Sequence, residues 1–220
     1  MATWLVTGAS RGIGLELCRQ VHARGDTVIA TCRAASLELA AVGCRVVEGI
    51  DISEDDLGDA LVEALGDTPV DVVVNNAGIL RRDTIDRLDL GVVREHLEVN
   101  TLGALRVTMA LLPRLQTGAK LAFVSSKAGS IGDRPSGGSY GYRISKTALN
   151  MAVANLAHDL APRGILVVAL HPGLVATDMT GRAGAIHPSA AATGLIARID
   201  ELDASRSGRF LHADGSEIPW

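Results

Sequence analysis

Aromatic residues are nearly missing from this chain, with two Trp, two Tyr and two Phe among 220 residues. A core therefore has to be assembled from Val, Leu, Ile and Ala, the residues favoured by strands buried on both faces. Lysine is almost as scarce, with three copies, and the net charge of −4 arises from mixed signs without a basic block. That balance argues against a nucleic-acid surface. An anionic ligand would have to be held locally, by backbone amides or single arginines. No apolar run approaches the roughly 20 residues that a membrane-crossing helix needs, so no membrane partner is expected. The opening MATWLVTG runs directly into strand-like sequence, with neither a basic n-region nor an apolar h-region. A cytoplasmic location is the expectation. The three cysteines, Cys18, Cys32 and Cys44, are odd in number and lack metal-type spacing. They read as buried free thiols, Cys18 within a helix and the other two flanking adjacent strands.

Several catalytic signatures are also missing. Ser125 and Ser126 lack the helix entry that a serine-hydrolase elbow needs, the glycine loop has no Walker A lysine, and the acids and histidines form no metal-like cluster. What the chain does have is length for one sizeable core, 47% hydrophobic residues and 24 glycines, which together exclude a disordered chain. Apolar, β-rich runs are expected as strands at Thr3–Val6, Thr27–Thr31, Arg45–Ile50, Val70–Val74, Lys120–Val124, Ile165–Leu170 and Arg209–Leu211. Helical patterns fall between them near Ile13–Arg24, Ser36–Val42, Glu54–Leu65, Val92–Leu112, Ser139–Ala161 and Ser189–Ile199. This alternation predicts one α/β domain over residues 1–220, a doubly wound Rossmann fold with a parallel sheet of about seven strands and helices on both faces. Gly/Pro/Ser-rich stretches at Gly129–Gly138 and Gly181–Ser189 follow strand ends, where ligands bind in open α/β sheets.

TGASRGIG, Thr7 to Gly14, links the first strand to the first helix. Gly8 permits a tight turn, while Gly12 and Gly14 let the backbone and the helix N-terminus approach a pyrophosphate. An NAD-preferring site usually places a carboxylate at the end of the second strand, but Ala30, Thr31, Cys32 and Arg33 stand there instead. Arg11 and Arg33 are either a clamp for a 2′-phosphate or solvated surface; the clamp favours NADP(H), with NAD(H) possible. Asp51 and Ile52 follow the third strand and are placed to bracket an adenine, unless Asp51 caps a helix, as Ser53-x-x-Asp56 already resembles a cap. In NNAG, Asn75 to Gly78, the small Ala77 and Gly78 would let the chain pass a cofactor, whereas Asn75 and Asn76 by themselves are also good turn formers. Asn100 interrupts a long helical pattern, as a kink, a water anchor or a tolerated exposed residue. Ser125 and Ser126 end the fifth strand as hydroxyls for a substrate oxygen or as turn residues. His171, before Pro172 and Gly173, reads as structural rather than as a base. Tyr142 and Lys146 lie four apart, on one face of a helix, a position Tyr140 does not share.

Together these residues resemble the short-chain dehydrogenase/reductase family across the whole chain. TGASRGIG, NNAG, Asn100, Ser126, Tyr142-x-x-x-Lys146 and PGLVAT stand in that family's order. GGSYGYRISKTALN, LHPGLVATDM and GRFLHADGSEIPW are similar to the branch that holds Sniffer-type carbonyl reductases and the C-factor signalling protein. The resemblance implies that Tyr142 exchanges a proton with a carbonyl or alcohol, that Lys146 holds the nicotinamide ribose and lowers the tyrosine pKa, and that Ser126 holds the substrate oxygen. It implies that Asn100 anchors a relay water and that Thr177 meets the carboxamide. The cofactor side would comprise Gly8, Ser10, Arg11, Gly12, Ile13, Gly14, Arg33, Asp51, Ile52, Asn76, Ala77 and Gly78, with Pro172, Gly173 and Val175 from PGLVAT. A carbonyl reductase follows, with an NAD-linked alcohol dehydrogenase or a catalytically silent NAD(P)-binding signalling protein as alternatives. A homodimer or homotetramer is expected as in related enzymes. Ser126 and Tyr142 are farther apart than is usual in the family, with the loop Gly132–Gly138 absorbing the excess. The segment after Thr177 is short, which implies an open pocket under a small lid.

Overall fold

The computed structural model describes residues 1–133 and 136–220. Arg134 and Pro135, in the expected glycine-rich loop, lie outside the described residues. Seven strands form one sheet: β1 (Thr3–Thr7), β2 (Thr27–Thr31), β3 (Arg45–Val47), β4 (Val72–Asn75), β5 (Lys120–Val124), β6 (Leu166–His171) and β7 (Arg209–His212), in the order β3-β2-β1-β4-β5-β6-β7. Every pairing is parallel. The order reverses between β1 and β4, the switch point at which doubly wound sheets bind ligands.

The strands are apolar on both faces because both faces are covered. Successive side chains point to opposite sides, so Leu5 joins one core layer while its neighbours Trp4 and Val6 join the other. The first layer is roofed by α3 (Leu57–Leu65), α5 (Ala104–Leu111) and α6 (Tyr140–Leu160), through Leu61, Val107 and Val153 among others. The second is roofed by α1 (Gly12–Ala23), α2 (Leu37–Ala40) and α7 (Pro188–Asp200), through Leu17, Leu39 and Leu195. Among the described residues no helix is long and apolar enough to cross a membrane.

Three boundaries differ from the sequence pattern for physical reasons. β3 stops at Val47 rather than Ile50, because Glu48 accepts a hydrogen bond from the Ala35 amide at 2.9 Å and Gly49 turns the chain at φ 77°. α3 begins at Leu57 rather than Glu54, since Asp51 spends its carboxylate on Ser53, at 3.0 Å to the amide and 2.7 Å to the hydroxyl. Asp51 therefore caps no helix, and Asp56, at the N-cap position, makes no side-chain cap bond either. The expected single helix Val92–Leu112 is α4 (Leu90–Leu97), a π-helical segment Glu98–Gly103 that contains Asn100, and α5. A π turn of this kind often marks a functional site.

Candidate active site

The C-terminal ends of β1, β4, β5 and β6 bring four motif segments to one edge of the sheet. The ends of β1 and β4 are stitched together: Thr7 Oγ1 accepts from the amides of Asn76 at 3.0 Å and Ala77 at 3.1 Å. In return, Asn76 Nδ2 donates to the carbonyls of Thr7 at 2.9 Å and Gly8 at 3.2 Å. Gly8 has φ 65°, and a Cβ on it would stand 2.8 Å from the Ala77 Cα. A Cβ on Gly14 would overlap the Gly8 carbonyl oxygen. The turn is thus compressed against β4 where only hydrogen atoms fit. The first turn of α1 holds no acidic residue, and no side chain caps it. The amides of its N-terminus and the positive end of its dipole are left for an anion. Thr177 closes this cradle from the β6 side, its Cγ2 3.4 Å from where a Gly12 Cβ would lie. Behind it, Gly173 has φ 83°, Pro172 is buried, and Val175 bridges to Ile186.

On the adenosine side no acid follows β2. Arg11 is exposed, and the Arg33 side chain is 76% exposed, with Nη1 3.8 Å from an Asp51 oxygen. Both cations are available to a ligand phosphate. Asp51 is held below the usual carboxylate range, first by the Ser53 hydroxyl bond and further by the Ser53 amide and Arg33. Ile52 turns into the core and packs where a Gly103 Cβ would be, 2.8 Å away, so only Asp51 of this pair faces outward. The cradle and the two exposed arginines fit a dinucleotide carrying an extra phosphate.

α6 carries Tyr142 and Lys146 on one face, as their spacing requires. Burial pushes the Tyr142 phenol upward, opposed by a hydrogen bond with the Ser126 hydroxyl. Lys146 is 5% exposed, donates from Nζ to the Val124 carbonyl at 2.8 Å, and is pushed down to about 8 by burial. Its Nζ lies 5.9 Å from the Tyr142 ring centroid. The expected lowering of the tyrosine by this lysine is not present in the protein alone; desolvation governs both groups.

The two serines at the end of β5 separate cleanly. Ser125 is buried, and its hydroxyl donates to Asn150 Oδ1 at 2.6 Å. Ser126 accepts from the Ala128 amide at 3.2 Å and is the one that reaches Tyr142. Asn100 is neither exposed nor idle: Oδ1 accepts from the Ile79 amide at 2.7 Å, while Nδ2 donates to the Ile79 carbonyl at 3.0 Å and to Ser145 Oγ at 2.9 Å. Its side chain is spent on protein partners rather than open to a relay water. Ser145 in turn donates to the Tyr142 carbonyl at 2.8 Å, which links the π segment to the tyrosine backbone.

Two further residues hold this arrangement and carry no motif. His96, fully buried one turn before Asn100, accepts at Nε2 from the Arg81 amide at 2.9 Å and bonds the Val92 carbonyl through Nδ1 at 2.8 Å. Its ring meets the Tyr142 ring edge-on at 6.3 Å between centroids. Asp83 accepts from the amides of Tyr140 at 2.5 Å and Gly141 at 3.2 Å. The only sequence signal for His96 was its i, i+4 relation to Asn100; Asp83 had none. Tyr140 lines a separate groove of about 760 Å³ with Ile131, Arg143, Ile144 and Met151 on another face of α6. His171 stacks edge-on with His212, 5.2 Å between centroids, and is pushed down to about 4, first by burial and then by His212 and Lys127. Among the described residues no cluster of three or more metal-binding side chains exists.

The family model described as short chain dehydrogenase matches residues 2–186. A 1-hydroxy-2-glutathionyl-2-methyl-3-butene dehydrogenase of Rhodococcus sp. (strain AD45) is 45% identical over all of both chains. The C-signal protein of Myxococcus xanthus is 43% identical over 69% of this chain and 93% of its own. Among solved structures, the carbonyl reductase Sniffer of D. melanogaster superposes with a TM-score of 0.90 at 29% identity over all of both chains. An NADPH-bound carbonyl reductase from chicken fatty liver gives 0.89 at 30% identity, over 100% of this chain and 99% of that one.

Proposed function

Because the chain belongs to the short-chain dehydrogenase family of oxidoreductases, we propose that it reduces an aldehyde or ketone to the alcohol with NADPH, Tyr142 acting as the general acid. The observation that carries this reading is the meeting of Tyr142, Ser126 and Lys146 beside an anion cradle that no acidic side chain enters. The NADPH-bound reductase of similar fold supports the choice of cofactor. Gly8, Gly12, Gly14 and the N-terminus of α1 would hold the pyrophosphate, with Ser10 and Ile13 in the same turn and Asn76, Ala77 and Gly78 flanking it. Arg11 and Arg33 would take the 2′-phosphate, and Pro172, Gly173, Val175 and Thr177 the nicotinamide end. When bound, the reduced nicotinamide supplies the hydride.

The chain's own residues handle the oxygen. The Ser126 hydroxyl donates to the carbonyl oxygen and favours the charge that develops there. The Tyr142 hydroxyl then gives that oxygen its proton. Lys146, at the base of the pair, favours the phenolate as the proton departs, an effect absent from the resting protein, where burial raises the phenol. Asn100 serves through the π segment it fastens to Ile79 and Ser145 rather than through a side-chain water.

The test is NADPH consumption over a panel of aldehydes and ketones, with Tyr142→Phe as partner. Turnover should fall by about 10²-fold or more while NADPH affinity stays within a few-fold; undiminished turnover in Tyr142→Phe sinks the assignment. Arg33→Asp should weaken NADPH relative to NADH, and a wild-type preference for NADH would reject the phosphate clamp. The relative named as a dehydrogenase of a hydroxy, glutathionyl compound favours a second reading, oxidation of a primary alcohol with Tyr142 as the base. Faster NAD⁺-linked oxidation of such alcohols than NADPH-linked reduction would select it. Cofactor binding without turnover on either panel would instead favour a signalling role like that of the C-signal relative. We also assign a homodimer or homotetramer to the exposed Leu90, Leu102 and Met109 on one helical run and Ile144 and Met151 on α6. Light scattering at the monomer mass would reject it.

A further inference from the structure

α4 buries a single side chain, and that side chain is a histidine. His96 is fully enclosed where α4 meets the first turn of α6. An apolar residue would fill such a place at lower cost, because a buried imidazole needs a partner at each nitrogen. Both partners are present. The Arg81 amide can only donate, so the lone pair that receives it at 2.9 Å is on Nε2. The Val92 carbonyl can only accept, so the proton it takes at 2.8 Å is on Nδ1. The ring is held at two corners in its Nδ1–H form and cannot turn without losing both bonds. Nor can it slide toward α6, since a Cβ on Gly141 would already stand 2.8 Å from Nδ1.

This fixed ring is the wall against which Tyr142 lies. The two centroids are 6.3 Å apart and the planes cross at 74°, the edge-on arrangement that aromatic pairs favour. Among the described residues no other aromatic ring meets Tyr142. A helix leaves a tyrosine more than one χ1 well and a broad χ2. The α6 backbone alone therefore does not decide where the hydroxyl stands or in which plane its proton lies. At its other corner His96 holds the Arg81 amide, two residues after Ile79, whose own amide and carbonyl are bonded by Asn100 one turn farther along the same helical run. The segment Ile79–Arg81 and the Tyr142 ring are thus joined through one side chain.

We propose that His96 is a positioning residue for Tyr142: its doubly bonded ring holds the phenol in the orientation that meets Ser126, and ties that orientation to the Ile79–Arg81 segment. The role rests on the reading of Tyr142 as the proton donor. His96 exchanges no proton itself, because both of its nitrogens are already engaged. A donor that is out of place slows the transfer step without weakening the binding that precedes it, so the loss falls on kcat rather than on KM.

The test compares the purified full chain with His96→Gln and His96→Leu, using NADPH and a carbonyl compound that the wild type reduces. Glutamine offers an acceptor to the Arg81 amide but no ring; leucine offers neither. In both variants kcat should fall about tenfold while KM for NADPH and for the carbonyl stays within about threefold. Thermal melts should separate them, with His96→Gln nearer the wild type. In a Tyr142→Phe background neither change should lower the residual turnover further, because the group being positioned is gone. Two readouts do not depend on turnover. With ring-labelled [13C]tyrosine only Tyr140 and Tyr142 give signals, told apart by their loss in the matching phenylalanine variants, and the Tyr142 signals should move in both His96 variants. In 15N-histidine spectra of the wild type at neutral pH, His96, identified by its loss in His96→Gln, should carry its proton on Nδ1. Wild-type kcat in His96→Gln beside an inactive Tyr142→Phe would overturn the proposal alone. Undiminished turnover in Tyr142→Phe would overturn the proton-donor reading and the proposal with it. Unmoved Tyr142 signals, or a proton on Nε2, would overturn it whatever the kinetics.

Discussion

Lys146 carries a conflict between stability and chemistry inside one side chain. Its ammonium is enclosed by protein with the Val124 carbonyl as a neutral partner, and burial alone lowers it to about 8. In the unfolded chain the same group titrates near 10.5. Below pH 8 both states hold the proton and the fold carries the full cost of the buried charge. Between about pH 8 and 10.5 the unfolded chain keeps a proton that the fold has released, so stability rises with pH across that window. Lys146→Met removes this dependence. In the cofactor-free protein its stability relative to wild type should be most favourable at pH 7 and decline by on the order of 2–3 kcal/mol by pH 10.5, while turnover is lost at every pH. Denaturant melts of both proteins at pH 7, 8.5 and 10 check this. A constant difference across the series would mean that the lysine is not desolvated in the way its surroundings imply.

At the scale of elements, α6 begins where its own sequence gives it no start. Ser139, the residue before it, sits at φ 49° and makes no cap bond. The free amides of Tyr140 and Gly141 are taken instead by Asp83, more than fifty residues earlier in the chain. Gly141 must also stay bare, because a Cβ there would come within 2.8 Å of His96 Nδ1. The first turn of the helix that carries Tyr142 is thus fixed by α4 and the loop before it. Asp83→Ala should cost about 1–2 kcal/mol in unfolding free energy and lower kcat several-fold with NADPH affinity unchanged. Asp83→Asn, which keeps an acceptor, should recover most of both. Equal kcat in the alanine variant would show that α6 holds Tyr142 without this cap.

The same junction shows what a sequence discloses and what it withholds. The strands were legible because Val, Ile, Leu and Ala runs buried on two faces leave few other structures open. The glycine turn and the Tyr142–Lys146 pair were legible because local geometry fixes their spacing. Asp83 and His96 were not, since a cap supplied from another loop and a histidine satisfied by a distant amide leave no periodic trace. Asn100 lay between these cases. Its interruption of a helix was visible, but the π turn and its bonds to Ile79 and Ser145 depend on packing that only the folded chain creates. The serines divide likewise: nothing in Ser125-Ser126 says which hydroxyl Asn150 will claim.

For the whole molecule, the outer strands hold a charge-sensitive seam. β6 and β7 pair in register at His171 and His212, and one ring meets the other edge-on. His171 Nδ1 is buried without a hydrogen-bond partner. Burial first, and then a cation's repulsion by His212 and Lys127 with only Asp214 in favour, push it down to about 4. The unfolded histidine titrates near 6.5. As pH falls from 6.5 to 4 the unfolded chain therefore binds a proton that the fold refuses, and stability drops by up to about 3 kcal/mol over that window. Above pH 6.5 the contribution is constant. Because the seam belongs to a sheet whose core layers run through every strand, the loss should register as a cooperative shift of the entire melt rather than local fraying. His171→Asn removes the titrating group and should flatten the decline between pH 6.5 and 4, at the expense of some stability at pH 7 from lost packing on His212. Thermal melts of both proteins at pH 7, 6, 5 and 4.5, followed by circular dichroism, measure the two slopes. Parallel curves would place the acid sensitivity of this fold elsewhere than at the β6–β7 seam.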